Sequence, residues 1–260
     1  LNKSIGKVKP REEKFVDRFG KPLINLSTKL TSKFSGFDPI APDHIAKKVL
    51  SRFRPILKKA KEIGAFVNVD VEQYAYRDLT FDIIKCVLLE DEFKDFNDAG
   101  IVVQANLKDS YEHLEDFLGW CRDNNKRPTI RLVKGAYWDH EVTVAQRNGW
   151  DIPVFLKKHK TDVNFERCTK LLVDNNEYAR GAFASHNRRS IIHALQLIKD
   201  AGLDKRDYEF QGLYGMQEND QIALAKQGEP QRMYCPVGNL QVGMAYNVRR
   251  LLENTSSSSW

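Results

Sequence analysis

The feature that most constrains this chain is an alternation repeated seven times. A short run rich in β-branched and aromatic residues is followed by a longer stretch with apolar residues at helical spacing. The strand-like runs are Leu23–Lys29, Phe66–Val71, Ile101–Ala105, Thr129–Val133, Ala182–His186, Tyr208–Leu213 and Arg232–Val237. Most lack the apolar–polar alternation of a half-exposed strand and read as buried on both faces, as parallel strands are. Between them, Ile45, Val49, Phe53, Ile56, Leu57 and Ala60 mark one amphipathic stripe, with Asp43 as its cap. Leu79, Ile83, Val87 and Leu88 mark a second, and Leu114, Phe117, Leu118 and Cys121, capped by Asp109 or Ser110, a third. Further stripes follow at Phe165–Leu172 and Ile191–Ile198, with a weaker one over 220–226 and a last one over 240–253. No Gly/Ser linker divides the pattern. It reads as one domain over 23–254, preceded by a basic segment over 1–22 and followed by a tail or linker over 255–260. Repeated βα units over about 250 residues are the signature of a (βα)8 barrel. A doubly wound open sheet is the alternative.

Composition narrows the class. Ample large apolar residues and a net charge of only +6 exclude a disordered chain. No apolar run approaches the ~20 residues of a membrane span. Four cysteines at 86, 121, 168 and 235, with no C-x-x-C, suit reduced and mostly buried thiols in a cytoplasmic enzyme rather than a disulfide scaffold. The charge is uneven: residues 1–60 carry 15 Lys and Arg against 5 Asp and Glu, a net of +10, and the remainder carries a net of −4. A basic segment can meet nucleic acid or an anionic membrane. Here Lys47, Lys48, Arg52, Arg54, Lys58 and Lys59 are scattered and lack an aromatic ladder, which favours a solvated helix face and argues against nucleic acid.

A polar residue inside an apolar strand is costly unless paired, so its position is informative. Lys29 closes the first strand, Asp70 the second and Gln104 the third; Arg131 lies in the fourth, ahead of a 134–138 loop. His186 and Asn187 follow the fifth, Gln211 is late in the sixth, and Tyr234 lies in the seventh. Any one of them is explained as a turn or cap residue. All seven strands ending the same way point to the C-terminal mouth of a barrel, where active sites gather. In the last helix Tyr246, Arg249, Arg250 and Glu253 share a face at i, i+3, i+4 and i+7, with Met244, Val248, Leu251 and Leu252 on its apolar side. Two guanidinium groups beside a tyrosine make a clamp for a carboxylate or a phosphate. There is no G-x-G-x-x-G, P-loop, H-E-x-x-H or G-x-S-x-G, and His140 between Asp139 and Glu141 reads as exposed rather than as a metal ligand. Asp70 and Glu72, two apart, share a strand face. From the residues alone, this is a barrel that binds a small anion through Lys29, Arg249 and Arg250, with a larger polar partner along Gln104, Arg131, the 134–138 loop and His186.

The same residues carry a resemblance. Ser27-Thr28-Lys29-Leu30, Asn68-Val69-Asp70, Val103-Gln104-Ala105, the Arg131–Asp139 stretch RLVKGAYWD, Ser185-His186-Asn187, Tyr208–Gln211, Tyr234–Gly238 and the Arg249–Asn254 stretch RRLLEN resemble the proline dehydrogenase family. Within it the likeness is to the dehydrogenase domain of bifunctional proline utilization A enzymes. It runs in order from about residue 23 to 254. Ser185 stands where the family often has Thr, and Gly212 and Tyr214 where it often has Cys and His.

The resemblance implies a distorted (βα)8 barrel with non-covalent FAD that oxidises L-proline to Δ1-pyrroline-5-carboxylate, the first step of proline catabolism to glutamate, and passes electrons to a membrane quinone. It implies that Lys29, Arg249 and Arg250 hold the proline carboxylate, with Glu253 pairing the arginines. Ala136, Tyr137, Leu213, Tyr234 and Tyr246 would wall the ring. Asp70 would hold the hydrogen-bond network beside Arg131 and Tyr137, and Arg131 would lie at the reactive edge of the flavin. FAD contacts would come from Asp70, Val71, Gln104, Arg131, Val133, Lys134, Gly135, Ala136, Trp138, Ser185, His186, Asn187, Gln211, Tyr234, Arg250 and Glu253. A cytoplasmic enzyme with peripheral contact at the inner membrane is implied, and no metal. The family's first strand precedes Lys29 and is not found in residues 1–22, so the barrel is expected to be one strand short in this chain, with an aldehyde dehydrogenase half beyond Trp260. Two other readings compete: a non-catalytic basic barrel docking on anionic membrane, and a barrel enzyme with its arginine pair on a phosphorylated substrate.

Overall fold

The computed structural model describes residues 16–238 together with 241, 243, 244 and 246–248. Seven strands form one parallel sheet whose spatial order is their order in sequence. They are β1 (Asn25–Lys29), β2 (Phe66–Asp70), β3 (Ala99–Gln104), β4 (Thr129–Val133), β5 (Arg180–Ala184), β6 (Tyr208–Leu213) and β7 (Gln231–Tyr234). Helices α1 (Pro42–Ile63), α2 (Tyr74–Leu89), α3 (Ser110–Asp123), α4 (Trp138–Asn148), α5 (Lys158–Asp174), α6 (Arg188–Asp200) and α7 (Glu218–Lys226) join them, and a short 3-10 turn, Thr31–Lys33, follows β1. The sheet curls so that Arg131 of β4 reaches Ser27 of β1, Asp70 of β2 and Gln211 of β6. Such reach across a lumen belongs to a barrel and not to a flat, doubly wound sheet. Among the described residues the barrel has seven strands, one short of the (βα)8 pattern, so β1 and β7 are its two edges.

All seven expected strands are present. Three begin earlier than the sequence pattern predicts: β3 at Ala99, β5 at Arg180 and β7 at Gln231. The outer layer follows from amphipathic stripes. On α1, Ile45, Val49, Leu50, Phe53, Ile56, Leu57 and Ala60 are buried, and Pro42 sits in the first turn, where its missing N–H costs nothing. Asp43 lies inside that first turn, after an Ala41 cap. Three basic residues of α1 have acidic partners: Arg54 forks onto Glu90, Lys58 pairs with Glu92 at 3.1 Å and Lys59 with Glu62.

Three expectations are corrected. Helix α4 has no counterpart in the pattern of apolar stripes, because only Glu141 and Ala145 of it are buried. It is pinned by a polar contact: the N–H of Tyr74, in the first turn of α2, donates to Glu141 Oε1 at 2.8 Å. Of the four cysteines, Cys121 and Cys168 are buried but Cys86 and Cys235 are exposed, and all four are free. Met244 and Val248, assigned to an apolar side, are 49% and 51% exposed. Arg249, Arg250, Glu253, the 255–260 tail and most of the basic 1–22 segment lie outside the described residues. No helix among the described residues is long and apolar enough to cross a membrane.

Side chains alternate between the lumen and the helical layer. Gly100 of β3 faces the lumen between its register partners Asn68 and Thr129. A Cβ there would sit 2.7 Å from Asn68 Oδ1, 2.8 Å from the Phe66 ring and 2.9 Å from the Thr129 carbonyl oxygen. Gly100→Ala should therefore destabilise the fold by about 1–3 kcal/mol through overpacking, read as a lower midpoint in urea unfolding. An unchanged midpoint would mean that β2, β3 and β4 are not so closely apposed.

Candidate functional site

A typical barrel lumen is filled with Val, Ile and Leu. This one is polar along its length, because period-2 pairs of polar residues line its strands: Ser27 and Lys29 on β1, Asn68 and Asp70 on β2, Glu209 and Gln211 on β6. Arg131, 9% exposed, is the hub. Its Nε donates to Gln211 Oε1 at 2.6 Å, Nη1 to Asp70 Oδ1 at 2.8 Å and Nη2 to Ser27 Oγ at 3.0 Å. Asn68 donates to the same Asp70 oxygen at 3.0 Å. Burial raises the Asp70 carboxyl above the ordinary carboxylate value, while Arg131, Asn68 and Lys29 pull against that rise.

Above this layer, at the C-terminal ends of the strands, Lys29 Nζ donates to Glu72 Oε1 at 2.6 Å and reaches the Tyr137 hydroxyl at 3.4 Å. Tyr137 lies 3.4 Å from the same glutamate oxygen, and Thr31 donates to the other. Burial alone would lower the Lys29 ammonium, but its bond to Glu72 and the neighbouring Tyr137 outweigh burial and raise it. Gln104 Nε2 donates to the backbone oxygen of Glu72 at 2.7 Å. The Tyr234 and Tyr246 rings lie 5.9 Å apart, and His186 Nε2 accepts from the N–H of Leu213. Val71 is buried, Val133 half-buried and Ala136 exposed.

The 134–138 loop is stitched to its neighbours. The Asn106 N–H donates to the Lys134 carbonyl, and Trp138 Nε1 donates to the Phe155 carbonyl at 2.9 Å. Gly135 has φ +116°, and its missing Cβ leaves room for the Asn106 side chain. Other expected site residues have local partners. Lys134 pairs with Asp162 and lies over the Phe165 ring on α5. Ser185 Oγ accepts from the Asn187 N–H, and Asn187 Oδ1 caps α6 by accepting from the Ser190 N–H. Hollows of about 620 Å³ beside Arg127 and Leu203 and about 580 Å³ beside Trp120 and Tyr178 open among the helices, away from this cluster. No group of three or more potential metal ligands occurs among the described residues.

The structure thus joins Lys29 to Tyr137, Asp70 to Arg131 and Gln211, and Tyr234 to Tyr246. The sequence pattern does not show the roles of Glu72 and Thr31 at the mouth, of Ser27 beside Arg131 in the lumen, or of Lys21, Glu209 and Arg232 at the floor. The signal was available in the two-residue spacing of Asp70 and Glu72, and of Glu209 and Gln211. At the floor, Arg232 Nε donates to Glu209 Oε1 at 3.0 Å, and Lys21 donates to the Tyr208 carbonyl with its ammonium 3.9 Å from Glu209. Burial lowers the Lys21 ammonium to about 8, against the pull of Glu209 and Asp17.

Comparison with known proteins gives a consistent result. A family model described as proline dehydrogenase matches residues 3–260. The bifunctional protein PutA of Escherichia coli (strain K12) is 31% identical over 244 residues, which cover 90% of this chain and 18% of that protein. Proline dehydrogenase 1 of Bacillus subtilis (strain 168) is 30% identical over 235 residues, which cover 90% of this chain and 67% of the relative. Among solved structures, proline utilization A from Bdellovibrio bacteriovorus, inactivated by N-propargylglycine, superposes with a TM-score of 0.90 at 39% identity, covering 100% of this chain and 27% of that one. The chain therefore spans less than a fifth of the PutA sequence it matches, and about two thirds of the Bacillus protein.

Two outcomes are expected of the lumen. Arg131→Met strands the Asp70 carboxylate and should cost about 3–5 kcal/mol of stability, whereas Arg131→Met with Asp70→Leu should recover most of it. Equal losses in single and double variants would show that the ion pair is not the source. For Lys21, the native state gives up its proton first between pH 8 and 10.5, so the unfolded state binds more protons there and stability rises with pH. Relative to a Lys21→Met variant, the parent should gain about 3 kcal/mol across that window. A difference that does not vary with pH would remove Lys21 from the buried floor.

Proposed function

This chain belongs to the proline dehydrogenase family, and on that premise we propose that it oxidises L-proline to Δ1-pyrroline-5-carboxylate with a non-covalently held FAD. The observation that carries the proposal is the pairing of two clusters at one end of the barrel: a cation with a tyrosine, Lys29 and Tyr137, directly above a buried guanidinium, Arg131. The first suits a small carboxylate with an apolar ring. The second suits an electron-accepting ring that gains negative charge.

The donor set fits FAD. Three of the five N–H groups of Arg131 are committed to protein partners, which leaves two for an acceptor-rich ring. Gln104, Lys134, His186 and Asn187 follow or end three neighbouring strands, and α6 starts beside them with its N-terminus capped by Asn187. FAD when bound supplies the two-electron acceptor. The chain would do the rest. Lys29, Arg249 and Arg250 bind the carboxylate, with Glu253 aligning the arginines. Ala136, Tyr137, Leu213, Tyr234 and Tyr246 wall the pyrrolidine ring. Hydride then leaves the carbon beside the ring nitrogen, the nitrogen loses its proton, and the C=N bond of the product forms. Asp70 and Gln211 hold Arg131 still while this occurs, so that orientation and charge are in place before reaction. Glu72 holds Lys29, so an incoming carboxylate must compete with it.

The electron acceptor we assign is a quinone, reached by peripheral contact with a membrane from the cytoplasmic side. The short coverage of the PutA relatives is compatible with a C-terminal aldehyde dehydrogenase partner domain in a longer protein.

An absorption spectrum of purified protein with added FAD, followed by anaerobic L-proline, tests the proposal. The expected result is a flavin band that bleaches on addition of proline. A flavin band indifferent to proline would reject the substrate, and failure to bind FAD would reject the cofactor. In the clamp, Arg249→Met or Arg250→Met should weaken proline binding by about 2–5 kcal/mol; unchanged affinity would move the carboxylate elsewhere.

A further inference from the structure

The side-chain amide of Gln211 can be inserted in two ways, and which one is present decides whether Arg131 meets an acceptor or a donor. Gln211 Nε2 donates to Glu209 Oε1 at 2.5 Å, and its Oε1 accepts from Arg131 Nε at 2.6 Å. The Glu209 carboxylate can only accept. Turning the amide over would set its oxygen against that carboxylate and its NH2 against the guanidinium, two repulsive contacts in a buried site. Glu209 is 7% exposed and cannot turn away, because Arg232 donates to both of its oxygens, at 3.0 Å from Nε to Oε1 and 3.2 Å from Nη2 to Oε2, with Lys21 on the same carboxylate. A relay of fixed polarity therefore runs from the floor of the barrel to its mouth: Arg232 donates to Glu209 with the Lys21 ammonium 3.9 Å away, Gln211 donates to Glu209, and Arg131 donates to Gln211 and Asp70.

We propose that Glu209 is a positioning residue for Arg131, acting by fixing the amide orientation of Gln211. The inference rests on the reading above only where Arg131 is said to meet the flavin. Glu209 itself touches neither substrate nor cofactor in this account; it determines that Arg131 presents its remaining N–H groups toward the mouth.

The near-isosteric change Glu209→Gln isolates this role. Glu209 Oε2 faces both Arg232 nitrogens, at 3.2 and 3.3 Å, and the Lys21 ammonium at 3.9 Å, so the oxygen of the new amide takes that place and its NH2 takes the place of Oε1, against Gln211. Gln211 must then turn its oxygen down and its NH2 toward Arg131. The first readout needs no cofactor: the Arg131 Nε–H cross-peak in a nitrogen–proton NMR spectrum. It should exchange slowly in the parent and lose that protection in Glu209→Gln. The second is the midpoint potential of the FAD-loaded protein, which should fall in Glu209→Gln in the same direction as in Arg131→Met. Arg232→Gln is the control. It loosens the same floor but keeps the carboxylate and, in its own NH2, a donor to hold it, so it should lower stability while leaving both readouts in place.

Protection and potential unchanged in Glu209→Gln, or changed equally in Arg232→Gln, would overturn the proposal and leave Glu209 a structural ion-pair partner. If Glu209→Gln does not fold, the parent decides: Gln211 amide protons close to Glu209 and remote from Arg131 Nε–H support the relay, and the reverse overturns it. If Arg131→Met leaves the potential unmoved, the placement of the flavin fails instead, and the cross-peak still judges the hold of Glu209 on Arg131.

Discussion

One guanidinium, that of Arg131, ties this barrel across its lumen. It bonds to residues 61, 80 and 104 positions away, on β2, β6 and β1. With only seven described strands, the sheet has two edges and no continuous ring of backbone hydrogen bonds to close it. Side-chain bonds from β4 to β1, β2 and β6 do part of that work. A buried charge of this kind contributes little net stability over a well-packed apolar core, but removing one partner is costly. What it adds is specificity: Val, Ile and Leu in the lumen would pack in several ways, whereas a guanidinium with three assigned acceptors has one arrangement.

That same economy makes the site. Because the lumen is already polar, its upper end needs no separate device to present charge to a ligand. Lys29, Glu72 and Tyr137 continue at the strand ends the polar pattern of Ser27, Asn68 and Asp70. The cost of burying charge is visible at two levels. At the floor it lowers the Lys21 ammonium, and in the middle it raises the Asp70 carboxyl. The interior is therefore held by opposing charges rather than by apolar packing alone, while the layer between strands and helices is conventional. There Phe53, Phe81, Phe117, Phe165 and Phe210 are fully buried.

Much of this was legible in the sequence, for a physical reason. The strands appear as short runs rich in β-branched and aromatic residues between helical stretches, so all seven were found. Their starts at Ala99-Gly100 and Arg180-Gly181 were not, because these residues carry little β preference; only the pairing of Val67 with Ala99 and of Thr129 with Arg180 makes them strand. Helix α4 was invisible because a carboxylate on a helix N-terminus, and not an apolar stripe, holds it. The polar residues of the site were found by their places at strand ends. Their partners were not, since bonds that cross a lumen leave no local signature. Glu209 is the clearest case: its spacing from Gln211 marks a shared face, but its work on Arg131 appears only once β4 and β6 are seen side by side with β5 between them.

A crystal structure of the protein grown with FAD and a cyclic carboxylate that cannot be oxidised would test the account most directly. The expected result is a flavin ring against the free N–H groups of Arg131, with Asp70 and Gln211 still bonded to that guanidinium, and Lys29 transferred from Glu72 to the ligand carboxylate. A flavin bound away from Arg131, or a ligand carboxylate with Lys29 still on Glu72, would contradict it.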